Sequence, residues 1–411
     1  MIVIIATLDT KGDKAKYLKD LIEGFKERLG RFEIKVIDCG VLGEPYFKPD
    51  ISKNEVAEAA GTSIAELAQL GDEAQAVDIM AEGVSKILEQ LHEQGRLEGV
   101  VGLGGTMGSC LFASATRSLP IGVPKVLLST CLFSPHFPFG DLPSDVIVVP
   151  FVSDIHGLSS LSKLSLENAA GAIAGVLHLY RRRRKDIEGK FVALTTVGTS
   201  WLKPVQILKP HIENQGQEVA VFHIGGGQGK SYEEFVKEGL IKVSLDLCWL
   251  DVVPQSIKDP RFLKVENRLT SATEKGIPQI LAPGLATVIT FGGKIEELPE
   301  QFRGRKVRYH NKYALAVERS EEELEETAEL VAERLNGAKA PVVLVLPQGG
   351  LHSYDENTKG LFCPQKREFF LKTLKKLLQP KIECVEFSGH VNDENFAKEV
   401  ATIYEKLATN A

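Results

Sequence analysis

The stretch of sequence that decides the fold is IVIIATLDTKG, residues 2–12. Its first five residues form the short β-branched run of a buried parallel strand, and residues 13–28 carry apolar positions on one helical face. The pattern recurs at residues 99–109, where GVVGL precedes GGTMGS. A strand, a short polar or glycine-rich segment and a helix, in that order, are typical of an open α/β sheet.

Both segments that follow these strands have the chemistry of a phosphate site. Loops at the carboxyl ends of neighbouring strands in an open α/β sheet face one crevice, where ligands bind. Glycines let backbone N–H groups approach an oxyanion closely, and the next helix N-terminus adds a favourable dipole. The sequence therefore predicts a site for a phosphorylated or otherwise anionic small molecule. Its candidate residues are Asp9, Thr10, Lys11, Gly104, Gly105, Thr106, Gly108, Ser109, Ser129 and Thr130.

Thr10 and Lys11 are the strongest single candidates, because a hydroxyl and an ammonium group can bind two phosphate oxygens together. The role of Asp9 stays open. It can hold Lys11, contact a ribose hydroxyl, bind Mg²⁺ beside the phosphates, or cap the helix predicted from residue 13. The G-x-x-x-x-G-K-[ST] spacing of a Walker A loop is absent. An NAD-dependent dehydrogenase is disfavoured because the first turn has one glycine rather than three, although Asp38 lies where a ribose-binding acid is expected.

Composition indicates an ordinary globular protein. The chain has 411 residues and a net charge of −6, so it lacks the basic footprint of a nucleic-acid-binding protein. The apolar start is short and is followed at once by charged residues, so we expect no secretory signal and no membrane span, and hence a cytoplasmic protein. Its six cysteines lack C-x-x-C pairs and zinc-site spacing, which predicts reduced thiols and no metal site.

The length of the chain and a repeat of the strand–helix pattern predict two subdomains. The first ends with a helix at residues 161–183 and the basic run Arg181 to Lys185, which places the boundary between residues 185 and 186. Strands are then predicted at residues 190–196, 218–223, 243–247, 279–282 and 342–346. We therefore predict two tandem Rossmann-like subdomains, residues 1–185 and 186–411, each with a doubly wound, mainly parallel sheet.

A second glycine-rich segment, GGGQGK from Gly225 to Lys230, follows the strand predicted at residues 218–223. Its chemistry also suits phosphate. It either closes over the same ligand near the subdomain interface or serves a second substrate. Histidines near predicted loops are too numerous to identify an acid or base, and Asp154 and His156 are the first to test.

Longer motifs extend over most of the chain. They are TLDTKG, GLGGTMGS, the segments 38–52, 122–130 and 168–175, and HVND at residues 390–393. Together they resemble the UPF0261 family, which includes the ATP-binding N-terminal domain of the tomato mosaic virus resistance protein Tm-1. Two segments and one residue depart from that pattern: residues 131–135, residues 201–203, and Thr287, where relatives usually carry Asp.

The resemblance implies two Rossmann-like subdomains that bind ATP, with or without Mg²⁺, and that form a homodimer. It implies no particular reaction. A nucleotide-responsive binding module and a metabolic enzyme, acting by group transfer or hydrolysis on a phosphorylated or carboxylate metabolite, therefore both stay open. The departures indicate a divergent subgroup.

Overall fold

The computed structural model describes residues 1–134, 137, 140–154, 157–183, 190–198, 202–355 and 360–409. The chain folds as two compact units, Met1–Ile187 and Glu188–Ala411. The boundary predicted between residues 185 and 186 lies outside the described residues, and so do Pro135, His156 and Trp201.

The first unit is built on a five-stranded parallel sheet. The strands lie in the order β2-β1-β3-β4-β5. Every residue of β1, β3 and β4 is buried, as expected for parallel strands that are covered on both faces. The strands are β1 (Ile2–Ala6), β2 (Ile34–Asp38), β3 (Gly99–Gly104), β4 (Lys125–Ser129) and β5 (Ile147–Pro150).

Helices cover both faces of this sheet. They are α1 (Leu8–Glu23), α2 (Lys26–Leu29), α3 (Lys53–Ala60), α4 (Ile64–Gln69), α5 (Glu73–Glu93), α6 (Thr106–Thr116) and α7 (Ser160–Arg183). Helices α1 and α7 pack against one face, and α3, α5 and α6 pack against the other. Asp72 caps α5, because its carboxylate accepts hydrogen bonds from the backbone N–H groups of Ala74 and Gln75.

The second unit has a six-stranded parallel sheet and a small antiparallel one. Its strands are β6 (Phe191–Thr196), β7 (Val219–His223), β8 (Ile241–Cys248), β9 (Gln279–Gly284), β10 (Val288–Gly292), β11 (Val307–Asn311), β12 (Ala314–Glu318), β13 (Val342–Pro347) and β14 (Glu383–Phe387). The parallel sheet has the order β7-β6-β8-β9-β13-β14. The antiparallel sheet, β10-β12-β11, is inserted between β9 and β13.

Helices also cover both faces of the larger sheet. They are α8 (Leu202–Glu213), α9 (Gln228–Lys237), α10 (Ser271–Lys275), α11 (Glu321–Asn336), α12 (Pro364–Leu377) and α13 (Glu394–Thr409). Two Rossmann-like units with parallel sheets confirm the predicted fold class. Within the described ranges, no helix has the length and apolar character needed to cross a bilayer.

Both units share one strand order. When the strands are numbered within each parallel sheet, the order is 2-1-3-4-5, and the sheet of the second unit adds a sixth strand at the end. The chain first moves to one side of its first strand and then returns to the other side. The place between the first and third strands is the topological switch point, where ligands bind in such sheets. The first switch point lies between β1 and β3, and the second lies between β6 and β8.

Candidate functional site

The first switch point begins with a very short connection. Only Thr7 separates β1 from α1, so Asp9, Thr10 and Lys11 lie in the first turn of the helix rather than in the predicted loop. The Asp38 carboxylate explains this early start, because its Oδ1 accepts from the backbone N–H groups of Leu8 (2.9 Å) and Gly40 (2.9 Å). Asp38 is 1% exposed, so it holds the start of α1 instead of reaching a ribose.

Two helix N-termini begin side by side at this switch point. Helix α6 starts at Thr106, directly after β3 and Gly105. Strands β1 and β3 are paired neighbours, about 4.8 Å apart, so α1 and α6 start close together. Within the part of the chain that the structure describes, neither Thr7 nor Gly105 makes a side-chain capping hydrogen bond. Asp38 binds the first N–H group of α1, that of Leu8, whereas the other first-turn N–H groups and the helix dipoles favour an anion here.

The glycines at the start of α6 have different roles. A Cβ on Gly104 would lie 2.7 Å from the Cα of Gly108, so this pair allows the close packing of β3 against α6. Among the described residues, a Cβ on Gly105 would meet only the Thr130 hydroxyl, at 3.4 Å. A ligand can therefore approach the Gly105 backbone closely without meeting another described side chain.

Lys11 brings a positive charge to the first turn of α1. Burial is the largest influence on the pKa of Lys11 and lowers it, and the charge of Lys14 lowers it further, although Asp9 and Asp154 oppose the change. Lys14 is paired with Asp13 (Nζ to Oδ1, 2.9 Å), whereas Lys11 has no ion-pair partner among the described residues. The Lys11 ammonium group is therefore available to an anion.

Asp9 and Thr10 line the start of α1. The Asp9 Oδ2 accepts a hydrogen bond from the Gly43 N–H group (3.2 Å), and its buried Oδ1 has no partner within the described ranges. Because α1 begins at Leu8, one of the roles left open for Asp9, capping a helix that starts at residue 13, is excluded. Thr10 is exposed, and its hydroxyl lies 3.0 Å from that of Thr7. Asp9 Oδ1 is an acceptor suited to a ligand hydroxyl or a cation.

The remaining candidates divide into exposed and buried residues. Thr106 is exposed at the start of α6. Ser109 and Ser129 are buried and their hydroxyls lie 2.8 Å apart, while the Ser129 hydroxyl also accepts from the backbone N–H group of Cys131 (3.2 Å). These two serines therefore lie behind the crevice, bonded to each other. Burial raises the pKa of the neighbouring Cys110 thiol, which disfavours a nucleophilic role.

The second switch point is filled by the protein's own charges. The Thr195 hydroxyl, at the end of β6, donates to Asp246 Oδ1 on β8 (2.8 Å). The buried Arg268 guanidinium contacts Asp246 (2.8 Å), Asp251 (2.9 Å) and Glu233 (3.2 Å). Burial raises the pKa of Asp251 to about 6, although the Arg268 charge opposes this. A cation and three carboxylates here satisfy one another.

The second glycine-rich segment, Gly225 to Lys230, follows β7 at the edge of the sheet rather than a strand at the switch point. A Cβ on Gly229 would lie 1.8 Å from Asp251 Oδ2 and 2.9 Å from the Arg268 side chain. Gly229 therefore allows α9 to pack directly on the buried charges. This close packing explains why a glycine is needed at this position without any bound phosphate.

Another set of polar residues was not selected from the sequence. His352 is fully buried, its Nε2 lies 3.2 Å from the Thr287 hydroxyl, and burial lowers the pKa of His352 to about 4. Asp355 is paired with Arg367 (2.7 Å). Two sequence features mark this region, the HVND motif and the glycine pair after β13. They are distant in the sequence, and only the fold shows that the two segments are neighbours. Among the described residues, no group of three or more His, Cys, Asp or Glu side chains is suited to a metal ion.

Comparison with known proteins covers nearly the whole chain. The model of the Uncharacterised protein family (UPF0261) N-terminal domain matches residues 1–182, and that of the C-terminal domain matches residues 189–408. A UPF0261 protein of Clostridium tetani is 34% identical over 403 residues, which span 96% of this chain and 96% of the relative. A UPF0261 protein of Brucella suis is 32% identical over 405 residues, with 98% and 95% covered.

A plant protein is also similar. The ToMV resistance protein Tm-1 of Solanum lycopersicum is 29% identical over 413 residues, which cover 96% of this chain and 54% of the tomato protein. These matches confirm the resemblance that the sequence motifs predicted.

Proposed function

The chain belongs to the UPF0261 family, and we propose that it binds ATP at the first switch point, where α1 and α6 begin. One observation carries the proposal: two helices leave neighbouring strands without a side-chain capping hydrogen bond from their N-cap residues, and the first turn of α1 carries a lysine that has no ion-pair partner in the described ranges. Each of these features favours an anion, and together they suit a polyphosphate.

The proposed arrangement gives each group a role. The backbone N–H groups from Gly105 to Met107 bind phosphate oxygens, and the Lys11 ammonium group adds a charge-assisted hydrogen bond. Thr10 contributes a hydroxyl at the start of α1. The negative charge of Asp9 in that turn opposes bare phosphate, so its unpartnered Oδ1 serves a ribose hydroxyl or a Mg²⁺ ion on the phosphates.

Calorimetric titration with ATP and Mg²⁺ tests this proposal. Lys11→Ala should weaken binding by about 1.5–3 kcal/mol, or roughly 10–150-fold, because it removes a hydrogen bond to a charged group. Lys16→Ala is the matched control, since Lys16 is an exposed lysine on the same helix. Equal affinity in the Lys11 and Lys16 variants would show that the phosphates do not bind here.

A further inference from the structure

A second group of polar side chains lies at the carboxyl ends of β9, β13 and β14, which are neighbours in the parallel sheet of the second unit. Backbone hydrogen bonds join the segments that follow these strands. Leu285 N–H donates to the Leu351 carbonyl (3.0 Å), and Val391 N–H donates to the Gly350 carbonyl (3.1 Å). We define the polar cluster as Thr287, His352, Asp355 and Asn392.

Close contacts fix the geometry of these segments. A Cβ on Gly349 would lie 2.6 Å from the carbonyl carbon of Gly389, and one on Gly350 would lie 2.2 Å from the His390 ring. His390 Nδ1 accepts from the Asn392 backbone N–H group (3.0 Å), so its Nε2 donates to the His352 carbonyl (3.1 Å). The polar cluster is thus held in place before any ligand arrives.

Three buried atoms of the polar cluster lack hydrogen-bond partners. They are His352 Nδ1, Asp355 Oδ1 and Asn392 Oδ1, and no described residue bonds to any of them. His352 is fully buried and Asp355 is 2% exposed. Because buried polar groups in proteins are nearly always hydrogen-bonded, three unpartnered atoms on adjoining segments indicate an occupant.

The chemistry of these atoms restricts the occupant. Asp355 Oδ2 accepts from the Leu351 N–H group (3.1 Å) and is paired with Arg367, so the carboxylate charge is already balanced. Burial lowers the pKa of His352 to about 4 although Asp355 raises it, which leaves the imidazole neutral at pH 7. Two acceptor oxygens and a neutral imidazole nitrogen lie here, and Arg367 Nη1, beside Asp355, is a donor that also lacks a hydrogen-bond partner in the described ranges. Such a mixed set suits O–H groups, which both donate and accept hydrogen bonds.

We propose that the polar cluster binds hydroxyl groups of a neutral polyhydroxylated small molecule, a polyol or sugar. Gln348 and Ser388 are exposed at the start of two of these segments and offer hydrogen bonds to a molecule larger than water. The carboxyl ends of parallel strands are also where ligands bind in α/β sheets. This site belongs to the second unit and is independent of the proposed ATP site.

Calorimetric titration of the full chain with glycerol, D-ribose, D-glucose and myo-inositol tests the proposal. At least one of the four should bind with a Kd of about 1 mM or below. Asn392→Leu should weaken that binding at least about tenfold, the loss expected when a hydrogen bond to a buried acceptor is removed. Asn214→Leu is the control, because Asn214 is exposed at the end of α8.

Thr287→Val provides a second variant if Asn392→Leu does not fold, because it removes the hydroxyl that contacts His352 while keeping the side-chain size. It should weaken the same probe, whereas Thr290→Val, on β10, should not. Failure of all four probes to bind would leave an ordered water as the only occupant and overturn the proposal. Unchanged affinity in both the Asn392 and Thr287 variants would overturn it equally.

Discussion

At the first switch point neither helix has a side-chain capping hydrogen bond from its N-cap residue, and Thr130 is the one described residue close to Gly105, whereas at the second Arg268 and three carboxylates occupy the end of the sheet. The strand order is the same in both units. The difference shows that the strand order of the sheet identifies only a possible place for a ligand. The side chains that the protein itself supplies decide whether the place stays available.

Electrostatics explains why only one of the two switch points suits an anion. Three carboxylates around Arg268 give the second switch point an excess of negative charge that is already desolvated. In the first, Lys11 is half-buried and has no ion-pair partner in the described part of the chain. Under the proposed function, the surrounding charges therefore favour an incoming phosphate at the first switch point and repel it at the second.

Among the changes that test this comparison, Arg268→Met should have the largest effect on the free energy of unfolding. It leaves Asp246, Asp251 and Glu233 buried without a counter-charge, which should lower the free energy of unfolding by about 3–5 kcal/mol. Urea denaturation followed by circular dichroism measures the change. Arg261→Met is the control, since the partly exposed pair of Arg261 with Asp259 should contribute far less to the free energy of unfolding. Equal losses in the two variants would argue against a critical role for Arg268.

The pH dependence of the free energy of unfolding tests the buried charges at the second switch point. The pKa of Asp251 rises through burial to about 6 from its ordinary 3.8, so between these values the folded chain binds a proton that the unfolded chain lacks. This carboxyl therefore adds stability as the pH falls through 6, by about 3 kcal/mol in all, and loses it as the pH rises. Unfolding free energies at pH 7 and pH 4 should show this gain relative to Asp251→Asn. Identical pH profiles would contradict it.

Two glycine substitutions, one beside each switch point, have the smallest expected effects on the free energy of unfolding. They compare the two places directly. Gly229→Ala drives a methyl group into Asp251 and Arg268, and should cost about 1–3 kcal/mol of unfolding free energy. Gly105→Ala meets only the Thr130 hydroxyl and should cost at most about 1 kcal/mol, the usual effect of alanine at a helix N-cap. Thermal unfolding of both variants compares them. A larger loss for Gly105 than for Gly229 would reverse the assigned roles.

The elements that local sequence patterns predicted best are those with a simple burial pattern. Strands β1, β3 and β4 are apolar throughout because helices cover both faces, so short β-branched runs identify them. Strand β11 was missed. Four of its five residues are exposed, so it has no apolar run to detect, and it depends on pairing with β12.

Features that depend on distant residues were not predictable in the same way. Helix α1 was expected from residue 13 but begins at Leu8, because Asp38, thirty positions along the chain, binds the Leu8 N–H group. The sequence indicated that Lys11 and Gly105 have the chemistry to bind phosphate. It could not show that Ser109 and Ser129 bond to each other, since that depends on how α6, which follows β3, packs beside β4.

A crystal structure of the chain with ATP and Mg²⁺ tests the central claim most directly. We expect phosphate oxygens at hydrogen-bond distance, about 3 Å, from the backbone N–H groups of Gly105 to Met107 and from the Lys11 ammonium group. The contacts of Arg268 with its three carboxylate partners should be the same as without the nucleotide. Phosphates bound at another place, with the N-termini of α1 and α6 unoccupied, would contradict the assignment of the first switch point as the nucleotide site.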